Sequence, residues 1–432
     1  MAVQAGEAKT TRAVIAYFTP ITLLVYLTNP VNQFLDYATS YMLKDHLHAS
    51  APEVSMFRLV LAIPVYLAVI FGLTRDLWSP LGRRDRGYFI VFGLVTAAIF
   101  AALAFVKLSF GGLLAGMFFA TLSFRFVNSG YQGLMALVGQ EKLMAGRISA
   151  LWNAVQTVPL VVGALAGGYV AEHLAPRATF LVVAALTAMI ALFGLWKPAE
   201  IFAHAYDRPE ATGSNLIGDV KRLLKHRAIY APVLGLFLFQ FAPGSNTPLQ
   251  YFLTDRLHAT DAVYAEYNAI FLVAFLPLFI GYGWLCRRFT LRTLLFWGTL
   301  LTIPQMIPLA FIHSPAQALL VAAPIGVMGS LLAPALYDLA IRSCPPGLQG
   351  ALMMLVDGAF FLSYRGGDLL GSWIYNASPK YGFYWDVALT SAVYALILPI
   401  VMFLAPRALT ERRDGEPLPL IQPDEAAAIA IA

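Results

Sequence analysis

The amino-acid sequence predicts an all-α membrane protein: twelve transmembrane helices in two pseudo-symmetric six-helix halves, with both termini cytoplasmic. Three observations carry this prediction, namely the composition, the spacing of apolar runs and an internal repeat. Of 432 residues, 59 % are hydrophobic and 12 % charged, and the mean hydropathy is +0.69. Soluble domains carry about 25 % charged and about 45–50 % apolar residues. This chain has too little charge to cover a water-facing surface, which excludes a soluble enzyme.

A bilayer-spanning helix takes about 20 apolar residues. Apolar runs bounded by Gly, Pro or charge place spans at 13–42, 54–73, 88–106, 113–138, 148–170, 178–195, 231–253, 264–285, 293–312, 316–341, 350–374 and 383–404. The first follows a polar stretch with Lys9 and Arg12, is too long for a signal peptide and has no small-residue cleavage site after it, so it doubles as the targeting signal. Asn29-Pro30 interrupts it. Spans 2 and 3 flank an Arg-rich loop, span 4 carries a polar band at its middle, and span 7 is broken by Pro243-Gly-Ser-Asn-Thr-Pro248. About 21 Lys and Arg fall in the N-terminus, the even-numbered connections and the tail, against about five in the opposite loops (Lys44, Lys107, Arg177, Arg256 and Lys380), which sets both termini inside.

The net charge of +5 and pI near 9.1 do not indicate nucleic acid, because the basic residues flank spans instead of sharing one face. Cys286 and Cys344 form no disulfide framework. The domain organisation reads as an N-terminal half (1–196), a linker (197–228), a C-terminal half (229–405) and a tail (406–432), disordered after Arg407. Within the linker, Ser214 can cap a short helix with Leu216, Ile217, Val220, Leu223 and Leu224 on one face and Asp219, Lys221, Arg222 and Lys225 on the other. Such a helix lies on the cytoplasmic leaflet, ahead of a regulatory partner site as the alternative.

The halves repeat. Tyr41-Met-Leu-Lys-Asp-His-Leu-His-Ala-Ser50 recurs 210 residues later as Tyr251-Phe-Leu-Thr-Asp-Arg-Leu-His-Ala-Thr260. At a spacing of 204, Gly146, Leu151, Gly163 and Gly167 match Gly350, Leu355, Gly367 and Gly371, so small residues that allow close helix approach occupy equivalent places in spans 5 and 11. Parallel six-helix repeats suit a secondary transporter that rocks about a midplane site.

Between spans 2 and 3, Gly72-Leu-Thr-Arg-Asp76-Leu-Trp-Ser-Pro-Leu-Gly82-Arg83-Arg84-Asp-Arg-Gly-Tyr88 resembles the loop motif of the major facilitator superfamily. Phe239-Gln-Phe-Ala-Pro-Gly-Ser-Asn-Thr-Pro-Leu-Gln-Tyr-Phe-Leu-Thr254, Cys344-Pro-Pro-Gly347 and the Gly-Arg-Arg loop resemble, more narrowly, the folate-biopterin transporter family. The corresponding second-half loop, Gly281-Tyr-Gly-Trp-Leu-Cys-Arg287-Arg288, lacks the acid. The resemblance implies alternating access with a cytoplasmic gate built from Gly72, Asp76, Gly82, Arg83, Arg84 and Arg147. In it Asp76 meets the positive end of the span 11 helix, whose start Pro345-Pro346-Gly347 defines, and Arg147 is its candidate partner. Arg83, Arg84 and Arg86 also read as topology anchors. Spans 1, 4, 7 and 10 are implied to line the central cavity.

An ionisable side chain at bilayer depth costs about 2.5–3.5 kcal/mol on insertion scales, so each needs a partner or a role. The candidates are Asp36, Arg58, Arg125, Asp338, Asp357, Arg365 and Asp368. Asp36 and its repeat equivalent Asn246 lie at broken helices, which membrane depth tolerates where they line a cavity; the alternative is an Asp36–Arg125 ion pair. Arg125, in a band with Asn128, Ser129 and Gln132, is a fork-shaped clamp for a carboxylate, or a salt bridge between spans 4 and 1. Arg365 and Asp368 can neutralise each other, which leaves Asp357 as the better proton site. Substrate or proton pathway candidates are therefore Asp36, Arg125, Asn128, Asn246, Asp357 and Arg365. Tyr37, Phe124, Tyr131, Phe239, Phe241 and Tyr251 can stack on a bicyclic ring, although core packing explains most of them. His48 and His258 read as structural loop residues.

The leading function is proton-coupled uptake of an organic anion such as folate or a pteridine through the inner membrane, by a monomer with no metal, cofactor or nucleic-acid partner. The alternatives are a sugar-cation symporter or drug exporter of the same fold, and a non-transporting assembly factor for membrane complexes.

Overall fold

The computed structural model describes residues 2–107, 109–203, 215–378 and 380–417. Among the described residues the regular structure is entirely helical. The N-terminal part contains α1 (Ala2–Thr28), α2 (Gln33–Tyr41), α3 (Ala51–Tyr66), α4 (Ala68–Leu77), α5 (Asp85–Phe105), α6 (Phe110–Glu141), α7 (Ala145–His173), α8 (Pro176–Leu195), α9 (Ala199–Phe202) and α10 (Leu216–Lys225). There follow α11 (Tyr230–Gln240), α12 (Thr247–Tyr251), α13 (Asp261–Arg288), α14 (Leu291–Thr302), α15 (Pro315–Gly329), α16 (Leu332–Arg342), α17 (Gln349–Ala377), α18 (Gly382–Pro399) and α19 (Arg407–Thr410). By length and hydropathy, nine helical stretches among the described residues can cross a membrane, and a tenth apolar helix, Arg227–Gln240, is shorter. Large apolar side chains left outside the protein core, such as Ile70, Leu94, Leu192, Leu320 and Phe403, are the surface that lipid requires.

Both predicted breaks form, each for a local reason. Pro30 lacks the N–H that would continue α1 and disfavours helix at Asn29. The freed groups are met nearby: Asn29 Oδ1 accepts from Val31 N at 3.3 Å, and Asn32 Nδ2 donates to the Tyr26 carbonyl at 3.0 Å. α11 stops at Gln240 and α12 restarts at Thr247 with Pro248 in its first turn. After each broken helix the repeat is exact in geometry. Ala49 N donates to the Leu43 carbonyl and Ala259 N to the Leu253 carbonyl, both at 2.9 Å. His48 and His258 hold matching left-handed conformations at φ 50° and 52°. Their shared role is thus a turn.

The chain divides into two compact units. Unit 1 is Met1–Glu141, Val155–Val220 and Pro346–Met354; unit 2 is Lys142–Ala154, Lys221–Pro345 and Leu355–Ala432. This partition differs from a cut at the linker because the first turns of α7 and α17 each belong with the other half's helices. Unit 1 has a core of Leu35, Phe57, Phe100, Met117 and Phe180 around α2, α3, α5, α6 and α8. Unit 2 has the related core of Leu249, Phe252, Tyr267, Ile325 and Phe383. Close packing holds these together, since lipid supplies no hydrophobic drive between helices.

The linker helix forms as α10, with Leu216, Ile217 and Leu224 exposed. Asp219, expected on its polar face, is buried, and Ser214, the expected cap, lies outside the described residues. The tail corrects an expectation. Arg407–Thr410 is helical and the segment is hydrogen-bonded as far as Glu416, so order extends past Arg407.

Candidate functional site

The loop motif builds a buried charge cluster in unit 1. Leu81, Gly82 and Arg84 all have positive φ (56°, 64° and 51°), so the turn needs the freedom of Gly82 at its centre. The turn reverses the chain and sets Asp85 opposite Arg75, which grips it with Nε at 2.6 Å and Nη2 at 2.8 Å. Arg75 Nη1 also donates to Asp76 Oδ1 at 2.8 Å. Asp76, with a fully buried side chain, accepts from Gly350 N at 3.1 Å and Ala351 N at 2.7 Å, the open amides at the start of α17. The expected meeting of Asp76 with this helix end is therefore present. Gly72 is what allows it, because a Cβ there would overlap the Gly350 carbonyl and stand 2.8 Å from Ala351 Cα. Arg86 caps the carbonyls of Gly194 and Leu195 that end α8, at 2.9 and 3.1 Å, while Arg83 and Arg84 are exposed.

Arg147, the candidate partner of Asp76, belongs to unit 2 and bonds Asp414 Oδ2 through Nε at 2.6 Å. Asp414 Oδ1 accepts from Gly146 N at 2.8 Å. Close by, Asp338 holds Arg342 at 2.7 Å and Tyr282 at 3.1 Å, which makes Asp338 a structural pair member.

Among the interior candidates, Asp36 is bound by Arg58 Nε and Nη2 at 3.1 and 3.0 Å. This corrects the Asp36–Arg125 alternative: two arginines were within reach of sequence reasoning, and α3 carries the nearer one. Arg125 is 0 % exposed, within a band that includes buried Asn29, Asn128, Ser129 and Gln132. Its Nη2 lies 3.4 Å from Asn29 Oδ1, at the break of α1.

In unit 2, α17 faces the break between α11 and α12. A Cβ on Gly367 would lie 3.1 Å from Ala242 N, and one on Gly371 would overlap the Pro243 carbonyl. The Gly-x-x-x-Gly spacing thus seats the broken segment against α17. Tyr364 Oη donates to Asn246 Oδ1 at 3.2 Å. Asp368 accepts from Thr247 N at 2.9 Å and Thr247 Oγ1 at 3.0 Å, capping α12. That corrects the Arg365–Asp368 pair; Arg365 is exposed, with its guanidinium 5.6 Å from the Tyr364 ring centre. Asp357 is half-buried on the same helix.

Sequence reasoning missed three acids. Asp85 lay unremarked inside the quoted motif. Asp414 lay in the tail. Asp386 lay just inside span 12; it is 0 % exposed, and neither carboxyl oxygen has a hydrogen-bond partner among the described residues. Of the aromatic candidates, Phe124 and Tyr131 are buried in unit 1 and Tyr131 bonds Thr22, Phe239 stacks on Tyr394, and Phe241 on Phe237. Tyr251 is exposed, and the side chain of Tyr37 lies outside what the structure describes. Among the described residues no cluster of His, Cys, Asp or Glu could hold a metal ion.

Two sequence relatives are named as folate carriers. The chain is 25 % identical over 376 residues to the folate-biopterin transporter of Synechocystis sp., covering 82 % of this chain and 74 % of that one. It is 23 % identical over 355 residues to folate transporter 2 of Plasmodium falciparum, covering 78 % and 76 %. Among solved structures, the human organic anion transporter MFSD10 matches with a TM-score of 0.64 at 16 % identity, over 90 % of this chain and 99 % of that one. FucP in the outward conformation matches with a TM-score of 0.68 at 14 % identity, over 91 % and 99 %, which speaks to fold alone. The Major Facilitator Superfamily matches residues 21–364. With that match, this fold and the Asp76 motif in place, the chain belongs to the Major Facilitator Superfamily and is a multi-pass membrane transporter, not an enzyme.

Proposed function

We propose that this transporter works by alternating access and takes up an organic anion of the folate or pteridine class together with protons. It acts as a monomer in the cell inner membrane with twelve spans and both termini cytoplasmic, a topology that the distribution of Lys and Arg supports. Gly72, Asp76, Gly82, Arg83, Arg84 and Arg147 form its cytoplasmic gate. Asp36, Arg125, Asn128, Asn246, Asp357 and Arg365 line the path of substrate or proton.

The observation that carries the substrate class is Arg125, a guanidinium buried at mid-length of an apolar helix beside a helix break. It stays charged under all conditions, and its planar fork matches a carboxylate. The names of both sequence relatives point to the same class, since folates carry carboxylates. Proton coupling is supported by Asp386. A Cβ on Gly244, inside the break, would stand 3.5 Å from Asp386 Cβ, so this carboxyl sits against the broken helix. An ionised carboxylate without hydrogen bonds is strongly disfavoured there, and a neutral one is tolerated.

The test is uptake of labelled folate into proteoliposomes with and without an inward proton gradient. Uptake driven by the gradient, and lost in accumulation but not in exchange in Asp386→Asn, is the expected result. No uptake under either condition by folded protein overturns the substrate reading. Uptake that ignores the gradient overturns the coupling alone.

A further inference from the structure

The second-half loop lacks the acid of the Gly-Arg-Arg motif, and the structure locates a replacement. The repeat spacing of 210 that relates Tyr41 to Tyr251 carries Asp76 onto Cys286. The spacing of 204 that relates Gly146 to Gly350 pairs the starts of α7 and α17. Contacts confirm both equivalences. A Cβ on Gly350 would lie 2.8 Å from Asp76 Oδ1, and one on Gly146 would lie 2.7 Å from Cys286 Cβ and 2.9 Å from its Sγ. Cys286 therefore stands where the acid should be, facing a helix start, with a side chain that is only a weak acceptor.

Asp414 does what Cys286 cannot. Its Oδ1 accepts from Gly146 N at 2.8 Å, as Asp76 Oδ1 accepts from Gly350 N at 3.1 Å. Its Oδ2 takes Arg147 Nε at 2.6 Å, where Asp76 Oδ2 takes Ala351 N. Its own backbone N–H donates to the Cys286 carbonyl at 2.9 Å, which fixes the tail directly over the vacant motif position. The approach is held further back as well. Arg342 Nη1 donates to the carbonyls of Leu409 and Arg412 at 3.2 and 2.9 Å, and Leu291 N to that of Arg412 at 3.3 Å. Leu409 and Thr410 are 1 % exposed and Asp414 is 7 % exposed. A tail that only trailed from the last span would not be bound in this way.

We propose that the C-terminal segment Arg407–Glu416 is a latch, in which Asp414 serves as the second-half gate acid and holds the start of α7 as Asp76 holds the start of α17. Each acid neutralises the positive end of a helix dipole, and each is released when its gate opens. The two gates differ in one respect. Asp76 is part of its own loop, whereas Asp414 comes from a segment whose removal or modification would open the second gate alone. The proposal rests on the alternating-access reading above, and its first test is independent of substrate.

Cys286 is 1 % exposed beneath the latch and reports its state. In a Cys344→Ser background, Asp414→Asn and a chain ending at Arg413 should each raise maleimide labelling of Cys286 at least tenfold. Equal labelling of all three proteins overturns the latch, whatever the substrate proves to be. The double variant Cys286→Asp, Asp414→Asn returns the acid to the motif itself. It should recover both the thermal midpoint in detergent and the folate uptake rate that Asp414→Asn loses; a double variant no better than Asp414→Asn on the thermal midpoint overturns the equivalence of the two acids. Should wild-type protein take up no folate, the substrate reading falls and the labelling and thermal results still decide the latch.

Discussion

Replacing Asp76 with Asn removes one charge from the start of α17 and leaves almost everything else in place. The amide keeps one acceptor oxygen, so it holds one of the two N–H groups of Gly350 and Ala351 and turns an NH2 group toward the other. The lost bond to a charged group is worth about 1.5–3 kcal/mol, and the charge at the helix start about 0.3–1 kcal/mol more. Arg75 stays paired with Asp85 at 2.6 and 2.8 Å, so no orphaned cation adds to the cost. The sum is about 2–4 kcal/mol, which at about 1.4 kcal/mol per tenfold shifts the gate equilibrium about 30- to 700-fold toward the inward-open form. Cys344 reports this, because it is 4 % exposed in the Cys-Pro-Pro-Gly run that leads into α17. In a Cys286→Ser background, labelling of Cys344 from the cytoplasmic side should accelerate by a comparable factor in Asp76→Asn. An unchanged rate would refute the reasoning, since it would mean that these bonds are made equally in both gate states.

Three further outcomes follow from the geometry. Gly371→Ala puts a methyl against the Pro243 carbonyl, with 2.8 Å to Pro243 C, and should lower stability by about 1–3 kcal/mol, read as a fall in the thermal midpoint in detergent. Arg58→Ala breaks an ion pair whose side chains are 44 % and 36 % exposed, so it should change stability by less than about 1 kcal/mol; a larger fall in the same thermal scan would show the pair to be structural. Burial, reinforced by the Arg222 guanidinium, holds the His226 imidazole below its ordinary range. The unfolded chain then binds the proton first, so stability is full above about pH 6.5 and falls as the pH drops through that value. His226→Gln should flatten the wild-type curve between pH 5 and 7, and identical curves would exclude His226 as its source.

The fold was legible because its determinants are local or periodic. Apolar runs, the Pro30 and Pro248 breaks and the repeated Tyr41 and Tyr251 segments need no knowledge of distant neighbours, and each appears where the sequence puts it. The Asp76 motif was legible for the same reason, being contiguous. Partners across the chain were not. Asp36 had two arginines to choose from, and Arg58 on the adjacent helix won over Arg125. Arg365 and Asp368 have the right spacing to pair, yet Asp368 is taken by Thr247, 121 residues away, because a helix start offers it an amide and a hydroxyl together. Asp414 finds Arg147 across 267 positions, a distance over which no periodicity carries information. The visible signal was negative: a motif with its acid missing.

That negative signal bears on how the charges of this chain are divided. Near the helix ends, acids and arginines are interlocked: Arg75 with Asp76 and Asp85, Arg147 with Asp414, Arg342 with Asp338. Their mutual attraction offsets their burial only while the geometry holds, so a movement of α7 or α17 must exchange one set of partners for another. The interior follows a different rule. Arg125 cannot shed its charge, and its Nη2 lies 3.4 Å from the Asn29 amide oxygen at the break of α1. Asp386 can shed its charge by taking up a proton, and neither of its carboxyl oxygens has a hydrogen-bond partner among the described residues. An anion and a proton would answer opposite electrostatic needs at these two residues, and that is why symport of the two is the function proposed.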